Sequence, residues 1–332
     1  MNVRDNVLAA FRHEDTPWTP NVLSDIDLVL QSTVNERYEG KETGRDEFGV
    51  SYTYMEQSGT PIVTPGTELL EDITEWKMIN FPRVEEYDWE SGARRDTAGW
   101  DRKNKANAVM LFNGPFERMH ALMGFENALI ALLTEPEAVK DYLDAFVDYR
   151  CALIKQIAKY YKPDAIMLFD DYGTSTEMMM SPDLWRELFK PRLKRLIDTT
   201  HDSGMYYILH SCGYIRPIFP DFVELGADVV QPMQHMNGVK TLKDIYGGRI
   251  TFTGGFLALE VLDNPSATEE EMRMEVRRGL DELAPGGSYI AWQTLLSPKA
   301  KKIFLEEVMK VSEPKMKALG VKIPDWKSIR FD

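Results

Sequence analysis

The residues best suited to chemistry are a histidine and a cysteine two positions apart, His210 and Cys212. They follow an apolar run at 205–209 that predicts a buried strand, and Gly213 then allows a turn. Imidazole and thiolate both bind Zn²⁺, and side chains two positions apart on an extended segment point the same way. The pair therefore predicts a zinc site at a strand end. The alternative is a hydrogen-bonded histidine beside a small buried thiol.

Two adjacent carboxylates, Asp170 and Asp171, follow another apolar run at 165–169. Neighbouring residues on an extended segment point to opposite sides, so we expect only one of them to face a pocket. The other would cap a turn or a helix. The carboxylate that faces the pocket would bind substrate or metal, or would act as a general acid. We therefore take both as candidate catalytic residues.

Other polar and aromatic residues at or near predicted strand ends are candidates for binding the substrate. Glu117 and Arg118 could instead form a simple surface pair, and each aromatic residue could instead belong to the core. Flat aromatic side chains at strand ends would suit a planar ligand. The candidate substrate-binding residues are Asn113, Glu117, Tyr172, Tyr214, Gln231 and Trp292.

Short apolar runs alternate with helical segments after residue 105, and Thr134, Ser181 and Thr268 are candidate helix caps. This alternation predicts βα units and a parallel sheet. No glycine-rich nucleotide loop follows any predicted strand, so we predict a (β/α)₈ TIM barrel with an irregular N-terminal elaboration. The chain would be a single domain, 1–332, with the elaboration at 1–104 and the regular units at 105–332. In such a barrel the candidate residues converge at the carboxyl ends of the strands.

The net charge, the cysteine content and the apolar runs of the chain argue against several classes of function. The formal net charge of -14 argues against nucleic acid or an anionic membrane as partner. Cys151 and Cys212 form no disulfide framework, and no apolar run is long enough to span a membrane. The N-terminus lacks the apolar stretch of a signal peptide, so we expect a cytoplasmic protein. Whether it forms a homodimer is left open.

Several strand-end motifs resemble the uroporphyrinogen decarboxylase superfamily. They are Phe-Asp-Asp-Tyr-Gly at 169–173, His-Ser-Cys-Gly at 210–213 and Leu-Ala-Pro-Gly-Gly at 283–287. The segments at 45–50 and 113–118 are similar to the methyltransferase components of anaerobic O-demethylase systems. The resemblance implies a barrel that transfers a methyl group between a small molecule and the cobalt of a corrinoid protein, with the help of bound zinc.

The chain departs from its apparent relatives in two places. Residues 17–25 contain no arginine, whereas the decarboxylase binds its polyanionic porphyrinogen with an arginine-rich segment there. No cysteine follows Cys212, whereas the thiol methyltransferases complete their zinc site with a late cysteine. Porphyrinogen decarboxylation and thiol activation are therefore disfavoured. The remaining zinc ligands would be substrate, water or side chains from a set of five. These side chains are Asp170, Asp171, Glu177, Gln231 and His235.

The function we predict is methyl transfer from a small methylated compound, a methoxylated aromatic, to the cobalt of a separate corrinoid protein. The chain has no Asp-x-His-x-x-Gly signature for carrying a corrinoid itself, so that cofactor must be carried by a partner. The alternatives are a lyase like uroporphyrinogen decarboxylase, or a barrel that has lost its metal and binds a small ligand without catalysis. Zinc content separates a metal-dependent enzyme from a metal-free barrel.

Overall fold

The computed structural model of the chain describes residues 1–56 and 59–331. Its frame is a parallel sheet of seven strands that, after the first, pair in chain order. A separate antiparallel sheet contains β2 (Gly44–Arg45), β3 (Ser51–Met55) and β4 (Thr60–Val63). The strands of the parallel sheet are β1 (Ile26–Leu30), β5 (Ala106–Leu111), β6 (Ala165–Phe169), β7 (Tyr206–His210), β8 (Val229–Met233), β9 (Thr251–Gly254) and β10 (Tyr289–Ile290).

The helices connect these strands and cover the outer face of the parallel sheet. Ser181 and Thr268 cap helices as predicted, whereas Thr134 is the last residue of a helix, and the next helix begins at Pro136 without a side-chain cap. The helices are α1 (Val3–Phe11), α2 (Val22–Asp25), α3 (Trp89–Asp96), α4 (Pro115–Met123), α5 (Phe125–Thr134), α6 (Pro136–Tyr160), α7 (Pro182–Leu188), α8 (Lys190–Asp202), α9 (Phe219–Leu225), α10 (Val239–Tyr246), α11 (Glu269–Leu283) and α12 (Pro298–Ala318).

Side chains alternate between the two faces of the parallel strands, because successive residues of a strand point to opposite sides. On β6, Ile166 and Leu168 pack in the large core under the helices, while Ala165 and Met167 pack in a second cluster. That second cluster collects residues from both ends of the sheet order and includes α1 through Phe11. The sheet therefore curls around an interior of its own, as in a TIM-like fold.

We predicted a complete eight-stranded barrel, and the described residues form a TIM-like sheet of seven parallel strands. Beyond β10, Asn21 makes a single parallel bridge to Ala291, with backbone hydrogen bonds from Val22 N to Ala291 O and from Ala291 N to Pro20 O. The short helix α2 then leads into β1. A one-residue bridge thus stands where a further strand would join the two edges.

Strand β1 lies inside residues 1–104, the segment predicted to form the N-terminal elaboration. It pairs in parallel with β5 from Ile26↔Ala106 to Leu30↔Met110. Asp27 is polar within this strand, and Lys105 Nζ lies 2.9 Å from its Oδ1. Part of residues 1–104 is therefore built into the parallel sheet.

No helix in the described ranges combines the length and apolar character that crossing a bilayer requires.

A buried carboxylate joins α11 to α12 and gives the fold an acid-sensitive element. Glu307 on α12 accepts hydrogen bonds from Arg273, Arg277 and Lys310. Burial alone would raise the pKa of Glu307, but these hydrogen bonds outweigh it and lower the pKa to about 2. Because this pKa lies below that of an unfolded glutamate, the stabilisation is present above about pH 4.5 and is lost as pH falls toward 2.

We therefore expect Glu307→Gln to lower the free energy of unfolding by about 2 kcal/mol at neutral pH, after allowing for solvent screening of the arginines. The difference from the parent protein should shrink steadily between pH 5 and about pH 2. Denaturant unfolding at several pH values measures it. Glu269→Gln, an exposed partner of the same Arg273, is the matched control and should change stability less. A difference that does not vary with pH would refute this role for Glu307.

Candidate metal centre

The register of three neighbouring strands brings the candidate site together. Phe169 on β6 pairs with His210 on β7, and His210 pairs with Gln231 on β8. All three follow residues of the inner cluster by two positions, so they point into the interior of the sheet. The same two-residue step beyond the strand ends leads from Phe169 to Asp171 and from His210 to Cys212. Alternation and register alone therefore place a carboxylate beside a thiol and an imidazole.

Asp171, His210 and Cys212 form a compact group of potential metal ligands. Their ligand atoms all lie within 4.8 Å of one another. His210 Nε2 is 3.5 Å from Cys212 Sγ and 3.6 Å from Asp171 Oδ1. Tetrahedral Zn²⁺ with bonds of about 2.3 Å to sulfur and about 2.0 Å to nitrogen holds those two atoms about 3.5 Å apart. The donor set and its spacing therefore fit zinc, with the fourth position left for substrate or water.

Gln231 orients the imidazole of His210. The Gln231 side-chain oxygen lies 2.5 Å from His210 Nδ1, and its Nε2 donates to Thr294 Oγ1 at 3.1 Å. With a proton on Nδ1, His210 presents the lone pair of Nε2 toward Asp171 and Cys212. Burial also lowers the pKa of His210, which favours the neutral ring that a metal needs. Gln231, which we expected to bind substrate, thus holds a potential metal ligand in place.

The thiol of Cys212 needs a cation to ionise. Burial, followed by the nearby carboxylates of Asp171 and Glu117, raises the pKa of Cys212 to about 12. A metal binds thiolate and offsets both effects, since it supplies the positive charge that this half-buried position lacks. The Cys212 backbone N–H donates to Asp171 Oδ1 at 2.6 Å, which fixes the carboxylate beside the thiol.

The two adjacent carboxylates have different positions, as alternation predicted. Asp171 lies in the ligand group, whereas Asp170 is buried and accepts hydrogen bonds from the backbone N–H groups of Phe116 and Glu117 at the start of α4. The Tyr172 hydroxyl also donates to Asp170. Burial raises the pKa of Asp170 to about 7. Asp170 anchors a helix N-terminus, and Asp171 is the one that faces the site.

Glu117 is a half-buried carboxyl at the same end of the sheet. Its Oε2 accepts a hydrogen bond from the backbone N–H of Asn113 at 3.0 Å. Burial and the charges of Asp171 and Asp170 raise the pKa of Glu117 to about 8, although Arg37 acts in the opposite direction. At neutral pH the carboxyl therefore favours its protonated form, which can donate a hydrogen bond.

Two buried ion pairs hold the segments that surround Asn113 and Glu117. Arg118 Nη1 donates to Asp46 at 2.6 Å, and Arg150 Nη1 donates to Glu36 at 2.9 Å. The side chain of Asn113 donates to the backbone oxygen of Glu36 at 3.0 Å, and its own backbone oxygen accepts from Arg150. Asn113, predicted to bind substrate, is thereby tied into the scaffold of the site.

The aromatic candidates lie at different depths. Tyr172 is buried in the large core against Trp185 and Phe189, with its hydroxyl bound to Asp170. Trp292 is buried in the inner cluster. Tyr214 is half-buried, and its backbone N–H donates to Thr174 O at 2.8 Å. Tyr172 thus occupies a core position rather than a place beside the ligand group.

The other suggested ligands lie elsewhere. The half-buried His235 has its Nε2 3.5 Å from Oε1 of the exposed Glu260, and the exposed Glu177 makes hydrogen bonds with Thr174 through its backbone. Within the described residues, the ligand group contains neither His235 nor Glu177. Of Asp170 and Asp171, only Asp171 belongs to the ligand group.

A row of flat groups beside the ligand group was not predicted from sequence. The rings of Phe169 and His210 are stacked with centroids 3.9 Å apart, and Phe112 lies 4.4 Å from Phe169. The guanidinium of Arg37 lies over Phe112 at 4.9 Å from the ring centroid. The two phenylalanines at the ends of β5 and β6 could have been found by applying the two-residue alternation to those strands. Arg37, in the loop after β1, carried no such signal.

The loops after β6 and β7 touch through their backbones. At both Gly173 and Gly213 a Cβ atom would overlap the backbone of the opposite loop, and Gly213 has a φ of 83°. Only glycine combines that left-handed conformation with so close an approach. The contact lies one to two residues from Asp171 and Cys212, and it keeps the two loops adjacent.

Comparison with known proteins agrees with this architecture. The sequence model described as uroporphyrinogen decarboxylase (URO-D) matches residues 44–292. The chain belongs to the uroporphyrinogen decarboxylase family. The matched segment includes Asp171, His210 and Cys212 and covers most of the parallel sheet. No curated protein matches the chain.

Two solved structures are similar to this member of the URO-D family to different degrees. A methyltransferase from Methanosarcina mazei has a TM-score of 0.68 and 15% identity, covering 93% of this chain and 99% of that one. At this identity the likeness concerns the fold. The apo form of the 3-keto-D-glucoside 4-epimerase YcjR from E. coli has a TM-score of 0.42 and 9% identity, covering 75% of this chain and 96% of that one. A similarity that weak carries no argument about this chain.

Proposed function

We propose that this member of the URO-D family is a zinc-assisted methyltransferase. It takes a methyl group from a methoxylated aromatic compound and delivers it to the cobalt of a corrinoid carried by a separate protein. The observation that supports this best is the cluster of Asp171, His210 and Cys212 on the inner side of the sheet, with spacing that suits tetrahedral zinc. The shared fold with a methyltransferase is consistent with the proposal.

The three clustered side chains would hold the metal, and neighbouring groups would prepare them. Gln231 keeps the Nε2 lone pair of His210 directed at the cluster, and the backbone of Cys212 fixes Asp171. When bound, zinc supplies a Lewis acid that polarises the ether oxygen of the substrate. Glu117, whose pKa is raised to about 8, can donate a hydrogen bond or a proton to the oxygen that leaves.

The transfer is balanced without any further reactant. The bond between the methyl carbon and the ether oxygen breaks, and its electron pair stays on the oxygen. The methyl carbon would pass to the reduced corrinoid of the partner, which would provide the electron pair of the new bond. The phenolate that forms takes up one proton, which Glu117 would supply.

The aromatic part of the substrate would lie on the row of flat groups at the mouth of the sheet. Phe169 and Phe112 are half-buried, Phe169 adjoins His210 and Phe112 adjoins Phe169, so a planar ring could stack there with its methoxy group at the metal. A thiol substrate is less suited, because such methyltransferases use a further cysteine and this chain has none after Cys212.

Decarboxylation of a porphyrinogen is not supported by the charges available. Residues 17–25 contain no arginine, and Trp18, Asn21 and Asp25 are buried there. Thr19 packs under α12, where its backbone oxygen accepts a hydrogen bond from Ser312. The segment therefore offers no cations to a substrate with many carboxylates.

We expect methyl transfer only when a reduced corrinoid protein is supplied together with the zinc-loaded chain. A panel of methoxybenzoates, methylamines and methylated thiols, followed by methyl-cobalt absorbance, tests both the acceptor and the donor. Only the methoxybenzoates should methylate the cobalt. Methyl-cobalt formed solely from amines or thiols would overturn the aromatic assignment, and turnover without any cobalt would overturn the methyltransferase proposal itself.

A further inference from the structure

Arg37 is a cation above the aromatic row, and most of its hydrogen-bonding capacity is unused. It follows β1, and its guanidinium lies over Phe112. Nη2 donates to the backbone oxygen of Pro61 at 3.2 Å, and Nε lies 3.2 Å from Glu39 Oε1. Among the described residues, Nη1 has no hydrogen-bond acceptor. A guanidinium has five N–H donors arranged as a fork that matches a carboxylate, so this one can accept a further anion.

The surroundings of Arg37 form a small cavity rather than an open surface. A cavity of about 190 Å³ adjoins the ends of β1 and β5, and its lining includes Leu30, Glu36, Arg37, Glu39, Met110 and Phe112. Arg37 keeps about a quarter of its side chain exposed. The neighbouring Glu36 is already paired with Arg150, so it does not neutralise Arg37. A guanidinium that is partly desolvated and incompletely paired favours an anionic ligand.

Other charges near Arg37 leave room for one carboxylate. Glu39 is its ion-pair partner and is itself partly exposed. Among the described residues that line this cavity, the other carboxylate, Glu36, is paired with Arg150. Arg37 is the one cation among the described residues that line the cavity, and this suits a single carboxylate, in contrast to the many that a porphyrinogen carries.

Arg37 and the metal ligands lie at opposite ends of the same row. From His210 the contacts run to Phe169 at 3.9 Å, on to Phe112 at 4.4 Å and then to Arg37 at 4.9 Å. A benzene ring is rigid, so an anchor at one end directs the substituent at the other. An aromatic ether held by its carboxylate at Arg37 would present its methoxy group toward His210.

We propose that Arg37 binds a carboxylate of the methyl donor, so the donor is an aromatic ether that carries one carboxylate. This inference rests on the proposed function for the ether, but the carboxylate site is a property of Arg37 and Phe112 in the cavity that they line. Arg37 is then a residue that determines substrate specificity. It selects acidic methoxyaromatics over neutral ones of the same shape.

Calorimetric binding to the zinc-loaded chain, without the corrinoid protein, tests this inference. The probes are 4-methoxybenzoate and 4-methoxybenzamide, which have the same shape and differ in charge. The parent protein should bind the benzoate at least about tenfold more tightly, as expected for one charge-assisted hydrogen-bonding pair. In Arg37→Gln the two affinities should become equal within about twofold, through weaker binding of the benzoate alone.

Two further variants keep the result interpretable. Arg83→Gln removes an exposed arginine that is also paired with a glutamate, and it should leave both affinities unchanged. Arg37→Lys keeps the charge but loses the fork, so its preference for the benzoate should lie between those of the parent and Arg37→Gln. Equal affinities in the parent, or a preference that survives in Arg37→Gln, would overturn the inference.

Failure of this inference and failure of the proposed function have different signatures. If the benzamide methylates cobalt as well as the benzoate does and Arg37→Gln changes neither, the carboxylate site is wrong and the methyltransferase stands. If the benzoate binds through Arg37 but no donor methylates cobalt, the methyltransferase is wrong and the carboxylate site stands.

Discussion

Replacing Cys212 with alanine is expected to remove zinc and methyl transfer together. The thiolate is one of three clustered protein ligands, and the remaining Asp171 and His210 can hold the ion only with added water. Loss of a group that merely supports a ligand costs about 10–100-fold in metal affinity, so loss of a ligand should cost more. Zinc content after dialysis, measured with the methyl-transfer rate, gives both quantities.

The chain provides a matched control for this experiment. Cys151 is the other cysteine, also half-buried, and it contacts Thr199 rather than the ligand group. Cys151→Ala should retain zinc and activity. If Cys212→Ala keeps a full equivalent of zinc, Cys212 is not a ligand. If it loses zinc but keeps its methyl-transfer rate, the metal has no part in the reaction.

The second large effect is expected on stability. Arg118→Met should lower the free energy of unfolding by about 3–5 kcal/mol, because it leaves the carboxylate of Asp46 buried without its counter-charge. Both side chains are fully buried, and Asp46 also accepts hydrogen bonds from the backbone N–H groups of Phe48 and Val50 and from Tyr52. Those three bonds moderate the loss and do not replace the charge. Denaturant unfolding measures the difference.

A second substitution separates charge from packing at this pair. Asp46→Asn combined with Arg118→Met removes both charges and keeps an oxygen for the backbone N–H groups, so the double variant should be no less stable than Arg118→Met alone. Arg94→Met, at an exposed pair with Glu90, should cost at most about 1 kcal/mol. A double variant much less stable than Arg118→Met would show that packing, rather than the unpaired charge, dominates.

Local patterns predicted the parts of the site that depend on neighbours in sequence. The strand before His210 and the common direction of His210 and Cys212 followed from apolar runs and the two-residue alternation. The same rule indicated that Asp170 and Asp171 would diverge. It could not say which would face the site, because that depends on α4, whose first N–H groups bind Asp170 across more than fifty residues.

Long-range contacts explain what sequence patterns missed. Strand β1 contains Asp27, which interrupts its apolar run and is matched by Lys105 only in the folded chain. Tyr172 follows a strand end, a position typical of ligand-binding residues, but the core around Trp185 encloses it. Gln231 was predicted near the site, yet its role in orienting His210 depends on the β7–β8 register.

The contact between Gly173 and Gly213 makes the two ligand-bearing loops one mechanical unit. The close contact prevents the loops from approaching further, and the hydrogen bond from Tyr214 N to Thr174 O opposes their separation. Since the Cys212 N–H is also bonded to Asp171 Oδ1, the gap between Asp171 and Cys212 resists widening to suit a larger ion. The contact between the two glycines therefore fixes the size of the site, and we expect this centre to discriminate between metals by ionic radius.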